Sequence, residues 1–206
     1  TDEEIIRLIS HFAETVKEIS DILWEPVIGY LESINMYGET QKKLDVWADD
    51  LIVERLAEET TFGVREIASE EGDQIKDLKT RCEIDGKYSV TIDPLDGSSL
   101  IDSNKTIGTI FGIHKGGILD ERPARGKMAA AMYFLYGPAT IMMLTTENIG
   151  TYEFLLKRVG TWVLNSQKIE MEEKGNIHSS GGLECKWTKS HKDFIEKLRS
   201  NEYKAR

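Results

Sequence analysis

The chain reads as an α/β protein of the layered α+β kind, with helices packed on a mixed sheet. Three observations predict this. An apolar stripe at helical spacing opens the chain, and a second helical segment follows it. From residue 64 onward, short segments of alternating apolar and polar residues take over, separated by Gly, Pro and polar turns.

Residues 1–23 form the first predicted helix. Ile5, Ile9, Phe12, Val16, Ile19 and Leu23 recur at steps of four and three, which places them on one face. Thr1 and Glu4 have capping-box spacing, and Pro26 helps to stop the helix. Residues 37–43 are polar and contain Gly38, and are expected as a mobile loop. A second helix is expected over 42–59, with Leu44, Ala48, Leu51 and Leu56 inward. Strands are expected at 64–69, 88–93, 107–114, 128–136, 139–145, 152–156 and 161–164, with Gly137-Pro138 as a turn. Residues 189–199 return to helical patterning. There are no internal repeats and no low-complexity tract.

Composition excludes some function classes. The 206 residues hold 26 Lys and Arg against 36 Asp and Glu, a net charge of −10. Such a surface repels nucleic acid and anionic membranes, so no partner of either kind is expected. A phosphorylated substrate would be repelled as well, unless bound metals or a few placed basic residues make its site locally positive. No apolar run approaches the roughly 18 residues of a membrane-spanning helix, and the N-terminus has no basic-then-apolar signal pattern. Cys82 and Cys185 are far apart and form no C-x-x-C pair, which suits structural thiols in a reducing cytoplasm.

The chemistry concentrates in two places. Glu70 and Glu71 follow the strand expected at 64–69, and Asp93-Pro94-Leu95-Asp96-Gly97-Ser98-Ser99 follows the strand ending at Asp93. Carboxylates at strand ends reach a common ion while the sheet anchors their backbones. Hard divalent cations such as Mg²⁺ take oxygen ligands and bridge carboxylates to substrate phosphates. A small-residue turn offers successive backbone N–H groups to phosphate oxygens. Alone, a Glu-Glu pair is a solvated turn, and Asp-x-x-Asp-Gly is a turn with φ > 0 at Gly. Together, with Pro94 stiffening the turn, the two segments point to a metal-dependent sugar phosphatase. His11, His114, His178 and His191 have no ligand spacing, and Met142-Met143 reads as core.

These residues also carry a family resemblance. Asp93-Pro94-Leu95-Asp96-Gly97-Ser98-Ser99, followed by Ile107-Gly108-Thr109-Ile110-Phe111-Gly112, resembles the signature of the fructose-1,6-bisphosphatase family, part of the lithium-sensitive, metal-dependent phosphatases. Gln41-Lys42-Lys43-Leu44-Asp45, Ser69-Glu70-Glu71, Ala129-Ala130-Ala131-Met132, Leu135-Tyr136-Gly137-Pro138 and Tyr203-Lys204-Ala205-Arg206 have counterparts in the same order. Within the family the pattern leans to sedoheptulose-1,7-bisphosphatase. Leu100 stands where fructose enzymes usually carry Asn, residues 149–156 resemble the sedoheptulose pattern, and Gly181 and Glu184 fall where fructose enzymes place an Asn and a Tyr on the distal phosphate. Fructose-1,6-bisphosphatase, or a dual-specificity enzyme, is the alternative.

The resemblance implies roles. Glu70, Glu71, Asp93 and Asp96, with the Leu95 carbonyl, would bind Mg²⁺, or Mn²⁺ in its place. Gly97, Ser98 and Ser99 would hold the 1-phosphate through backbone N–H groups. Asp45, with Glu71, would help deprotonate the attacking water. Glu39 replaces an Asp on a mobile loop with a longer acidic side chain. Arg206 resembles an arginine that reaches the distal phosphate across a subunit interface, which implies a homodimer or homotetramer. Lys87-Tyr88 matches part of the family's AMP site, whose N-terminal phosphate loop is not recognisable here, so AMP inhibition is not expected. Family chains continue into a second α/β domain. Residues 1–174 are thus expected to be a helix-plus-sheet domain with the metal site, and 175–206 the start of a substrate domain. The 206-residue species alone is expected to be prone to associate and to lack turnover. Two readings compete: an inositol-monophosphatase-like hydrolase, against which Lys42-Lys43 and the Tyr-Lys-Ala-Arg element argue, and a non-catalytic fragment.

Overall fold

The structure is a computed structural model, and it describes residues 3–24, 37–58, 63–78, 86–119, 127–166, 168–173, 175, 177–200 and 204–205. The chain divides into two compact units, Thr1–Ile169 and Glu170–Arg206.

The first unit opens with α1 (Glu3–Trp24) and α2 (Tyr37–Glu58). The strands follow: β1 (Val64–Ser69), β2 (Lys76–Asp77), β3 (Tyr88–Asp96), β4 (Ile107–Lys115), β5 (Met128–Tyr136), β6 (Thr140–Thr146), β7 (Gly150–Leu156) and β8 (Trp162–Ser166). They form one eight-stranded sheet in the order β2-β1-β3-β4-β5-β6-β7-β8. From β3 to β8 it is an antiparallel meander, and only β1–β3 is a parallel pairing. The expected mixed sheet with helices packed on it is therefore present.

One face of the sheet carries the helices. On α1, Ile5, Leu8, Phe12, Val16 and Ile19 are buried, while Ile9 and Leu23 sit half-buried at the margin of the stripe. The Phe12 ring stacks on Phe111 of β4 at a centroid distance of 4.1 Å, and Phe111 meets Phe134 of β5 edge-on at 5.8 Å. Burying each such ring contributes about 1.5–3 kcal/mol. Trp162 of β8 extends the row and donates its indole N–H to the Ala13 carbonyl at 2.9 Å, tying the far strand to α1. The Ser20 and Thr140 hydroxyls meet at 2.9 Å in the same interface. The opposite face is less covered: Ile110, Met128, Tyr133 and Val163 are exposed.

Several expectations are corrected. The helix α2 starts at Tyr37, inside the segment expected as a mobile loop. Glu39, Gln41, Lys42 and Lys43 are good helix formers, and one Gly costs only about 1 kcal/mol, too little to break the run. Its inward positions include Asp45 and Asp49 beside Ala48, Ile52 and Leu56, while Leu44 and Leu51 are only half-buried. Strand β3 continues past Asp93 to Asp96, crossing Pro94 at a register irregularity against β4. Met142 is core, whereas Met143 is only half-buried. The pairing of Thr1 with Glu4 lies outside the described residues.

The second unit has a parallel pair, β9 (Ile177–His178) and β10 (Lys204–Ala205), and a helix, α3 (Lys189–Ser200). Trp187 donates to the Gly181 carbonyl at 3.1 Å and meets the His191 ring at 4.7 Å. Ile195 is its buried apolar side chain.

Candidate active site

Three segments of the first unit bring their carboxylates together. Helix α2 supplies Asp45, and one turn later Asp49, both buried. Strand β1 ends in a tight turn at Glu70 and Glu71, closed by the Gly72 N–H on the Ser69 carbonyl at 3.2 Å. The Glu70 N–H reaches across to the Ile92 carbonyl of β3 at 3.0 Å, so the parallel pairing sets the glutamates beside the aspartate loop. Strand β3 supplies half-buried Asp93 and exposed Asp96, with Pro94 and Leu95 buried between them and Leu95 in the core.

Gly97 adopts φ 81°, a left-handed conformation open to Gly, and starts the short 3-10 turn Ser98–Ser103. The first N–H groups of a helical turn have no partner within it. The turn is closed by the Leu100 N–H on the Gly97 carbonyl at 2.8 Å. The Ser98 side chain also hydrogen-bonds Asp45, linking the turn to α2.

The electrostatics show a site built of mutually repelling charges. Burial pushes the Asp93 carboxyl up, and Asp96, Glu70 and Asp45 push it further against the opposing Leu95 N–H, to about 6. Asp45 is raised by burial and Glu70, opposed by Ser98. Glu71 is raised by burial, then by Asp45 and Glu70, then by a carboxyl–carboxyl hydrogen bond to Glu70, then by Asp49. Among the described residues, no three of these side chains converge as a ready coordination shell. The donor set still fits a hard divalent ion, because it is all oxygen and its acidic groups repel one another, although Asp49 is paired with the Lys76 ammonium at 3.0 Å.

Sequence reasoning thus located Asp45, Glu70, Glu71, Asp93, Leu95, Asp96, Gly97, Ser98 and Ser99 in one region. Buried Asp49, one helical turn beyond Asp45, was not singled out from the sequence; it lies near enough to raise Glu71 and takes the Lys76 ammonium at 3.0 Å. Arg206 lies outside the described residues, as does the Glu39 side chain. Gly181 and Glu184 are exposed in the second unit.

A layered α/β domain with a carboxylate-rich loop at its strand ends is the class that fold and site define. Residues 1–167 match a family model described as fructose-1,6-bisphosphatase, N-terminal domain, and the chain belongs to the fructose-1,6-bisphosphatase family. It is 39% identical over 205 residues to the class 1 fructose-1,6-bisphosphatase of Syntrophotalea carbinolica, covering 100% of this chain and 62% of that protein. It is 41% identical over 169 residues to that of Methanocorpusculum labreanum, covering 82% and 49%. The crystal structure of Leishmania major fructose-1,6-bisphosphatase in holo form superposes with a TM-score of 0.81 at 28% identity, over 99% of this chain and 65% of that one. The chain thus spans less than two thirds of these relatives' length.

Proposed function

We propose that this chain carries the metal-binding half of a sugar bisphosphatase that hydrolyses the 1-phosphate of fructose-1,6-bisphosphate. The observation behind this is the carboxylate cluster around Asp93, raised to about 6 by burial and by its acidic neighbours, beside the Gly97-Ser98-Ser99 turn. Bound Mg²⁺, or Mn²⁺ in its place, would neutralise phosphate charge and acidify water. Glu70, Glu71, Asp93 and Asp96, with the Leu95 carbonyl, would hold it. Gly97, Ser98 and Ser99 would orient the transferred phosphate, and Asp45 with Glu71 would take the proton of the attacking water. Arg206, from a neighbouring copy in a dimer or tetramer, would bind the distal phosphate through its fork of N–H groups. Residues 175–206 would begin the substrate domain.

The lean to sedoheptulose-1,7-bisphosphate is not supported, and the fructose alternative fits better. The relatives reported above are named for fructose-1,6-bisphosphate. Of the clues to the other sugar, Leu100 is 36% exposed on the turn, and Gly181 and Glu184 are exposed in the second unit.

The test is phosphate release with Mg²⁺ by a chain extended to the relatives' length, given both bisphosphates. A kcat/KM ratio favouring the fructose substrate is expected, since such ratios report differential transition-state binding. A preference for the sedoheptulose substrate reverses the assignment, and no release from either overturns it.

A further inference from the structure

We infer that Thr109 and Tyr136 form a buried hydroxyl relay that positions the Asp93–Asp96 loop for its metal. Asp93 pairs with Ile110 and Asp96 with Gly108, so Pro94 and Leu95 together face the single residue Thr109. That is a β-bulge, a device that redirects a strand and its side chains. At the bulge the Thr109 hydroxyl donates to the Pro94 carbonyl at 2.7 Å. A hydroxyl has one proton to give. The Tyr136 hydroxyl, also 2.7 Å from Thr109 Oγ1, must therefore be the donor in that second contact. The direction is fixed: Tyr136 to Thr109 to Pro94.

Both groups are costly where they stand. Thr109 is 0% exposed and Tyr136 is 6% exposed. A buried hydroxyl destabilises unless it is bonded, and Val or Phe would fill the same space without polar atoms. Burial raises the Tyr136 pKa, which keeps the phenol protonated as a donor. The backbone around the relay has little freedom: a Cβ on Gly108 would stand 2.7 Å from the Phe134 carbonyl, so β4 and β5 pack closely beside it. The relay thus ties the centre of the loop to β4 and β5, while Asp93, the Leu95 carbonyl and Asp96 stay on either side of the tied carbonyl.

Thr109 and Tyr136 are positioning residues, and the inference rests on reading Asp93, Leu95 and Asp96 as metal groups. Two readouts on a chain extended to the relatives' length test it: amide hydrogen exchange at residues 95–98 without metal, and Mn²⁺ affinity by calorimetry. Thr109→Val should speed exchange there, and should weaken Mn²⁺ on the order of tenfold, as loss of an outer-sphere partner does. Thr109→Ser, which keeps the hydroxyl, should restore both. Tyr136→Phe should give a smaller change of the same sign, and decides the matter if Thr109→Val does not fold. Exchange at 95–98 unchanged in the folded variants overturns the relay, and so does an unchanged Mn²⁺ affinity. If the wild-type chain binds no Mn²⁺, the metal reading fails, and the exchange data alone then decide whether the relay holds the loop.

Discussion

Asp93 shows what a single residue is made to bear in this fold. It is half-buried, faces Asp96, Glu70 and Asp45, and has the Leu95 N–H in partial compensation. Replacing it with Asn removes a repelled charge, so the metal-free protein should melt at a higher temperature than the wild type. The wild type should gain stability from Mg²⁺ or Mn²⁺, about 2.7 kcal/mol at 100 times the dissociation constant. Asp93→Asn should lose most of that gain. Differential scanning calorimetry with and without metal reads both effects, and an undiminished metal response in Asp93→Asn would remove Asp93 from the site.

His114 makes a prediction about pH. Burial, then Lys127, holds its imidazole below the ordinary 6.5. Below pH 6.5 the unfolded chain therefore binds the proton more readily than the folded one, and stability is lost as pH falls from there through the folded value. Asp93, raised to about 6, has the opposite sign and loses stability as pH rises through that value. The wild type minus His114→Gln difference in melting temperature isolates the histidine, and it should shrink in favour of the variant as pH falls. A flat difference would show that His114 is not held neutral. The ring is fixed by Thr91 Oγ1 at 3.0 Å, and a Cβ on Gly112 would stand 2.6 Å from that oxygen, which is why this position is Gly.

At the scale of elements, α1 and the meander depend on one aromatic row. Phe12, Phe111 and Phe134 are fully buried and run from helix to sheet. Phe111→Ala should cost about 3–5 kcal/mol, the transfer free energy plus a cavity that rigid strands cannot close. A urea unfolding midpoint near that of the wild type would mean that the helix is held elsewhere. Trp162→Phe should be milder than Phe111→Ala, because it keeps one aromatic ring against Phe134 while losing part of the indole and the N–H given to Ala13, the hydrogen bond alone being worth about 1 kcal/mol. The exposed Arg55–Glu18 pair that links α1 to α2 should matter little, at about 0–1 kcal/mol.

For the whole molecule, the notable asymmetry is between the two sheet faces. One is sealed by helices, and the other shows Ile110 at 44% and Tyr133 at 40% exposure beside a shallow apolar cavity of about 310 Å³. Apolar surface of this kind binds hydrophobic probes. Ile110→Lys with Tyr133→Lys should lower binding of an anilinonaphthalene dye while the melting temperature changes little, since both side chains are already part-solvated. Unchanged dye binding would place the accessible apolar surface elsewhere.

Local pattern determined much of this protein. Period-two alternation marked the strands from β3 to β8, helical spacing marked α1, and the run from Asp93 to Ser99 marked the loop, because each depends on residues near one another in sequence. The family resemblance, carried by motifs along the chain, was legible as well. The tertiary structure decided the rest. That Glu70 lies beside Asp93 follows from the parallel β1–β3 pairing, and no periodicity encodes which strands pair. Asp49 was hidden because a helix that turns carboxylates inward weakens its own apolar stripe. Thr109 and Tyr136 looked like ordinary strand residues until the register placed them under Pro94, since a hydrogen bond between distant residues leaves no local trace.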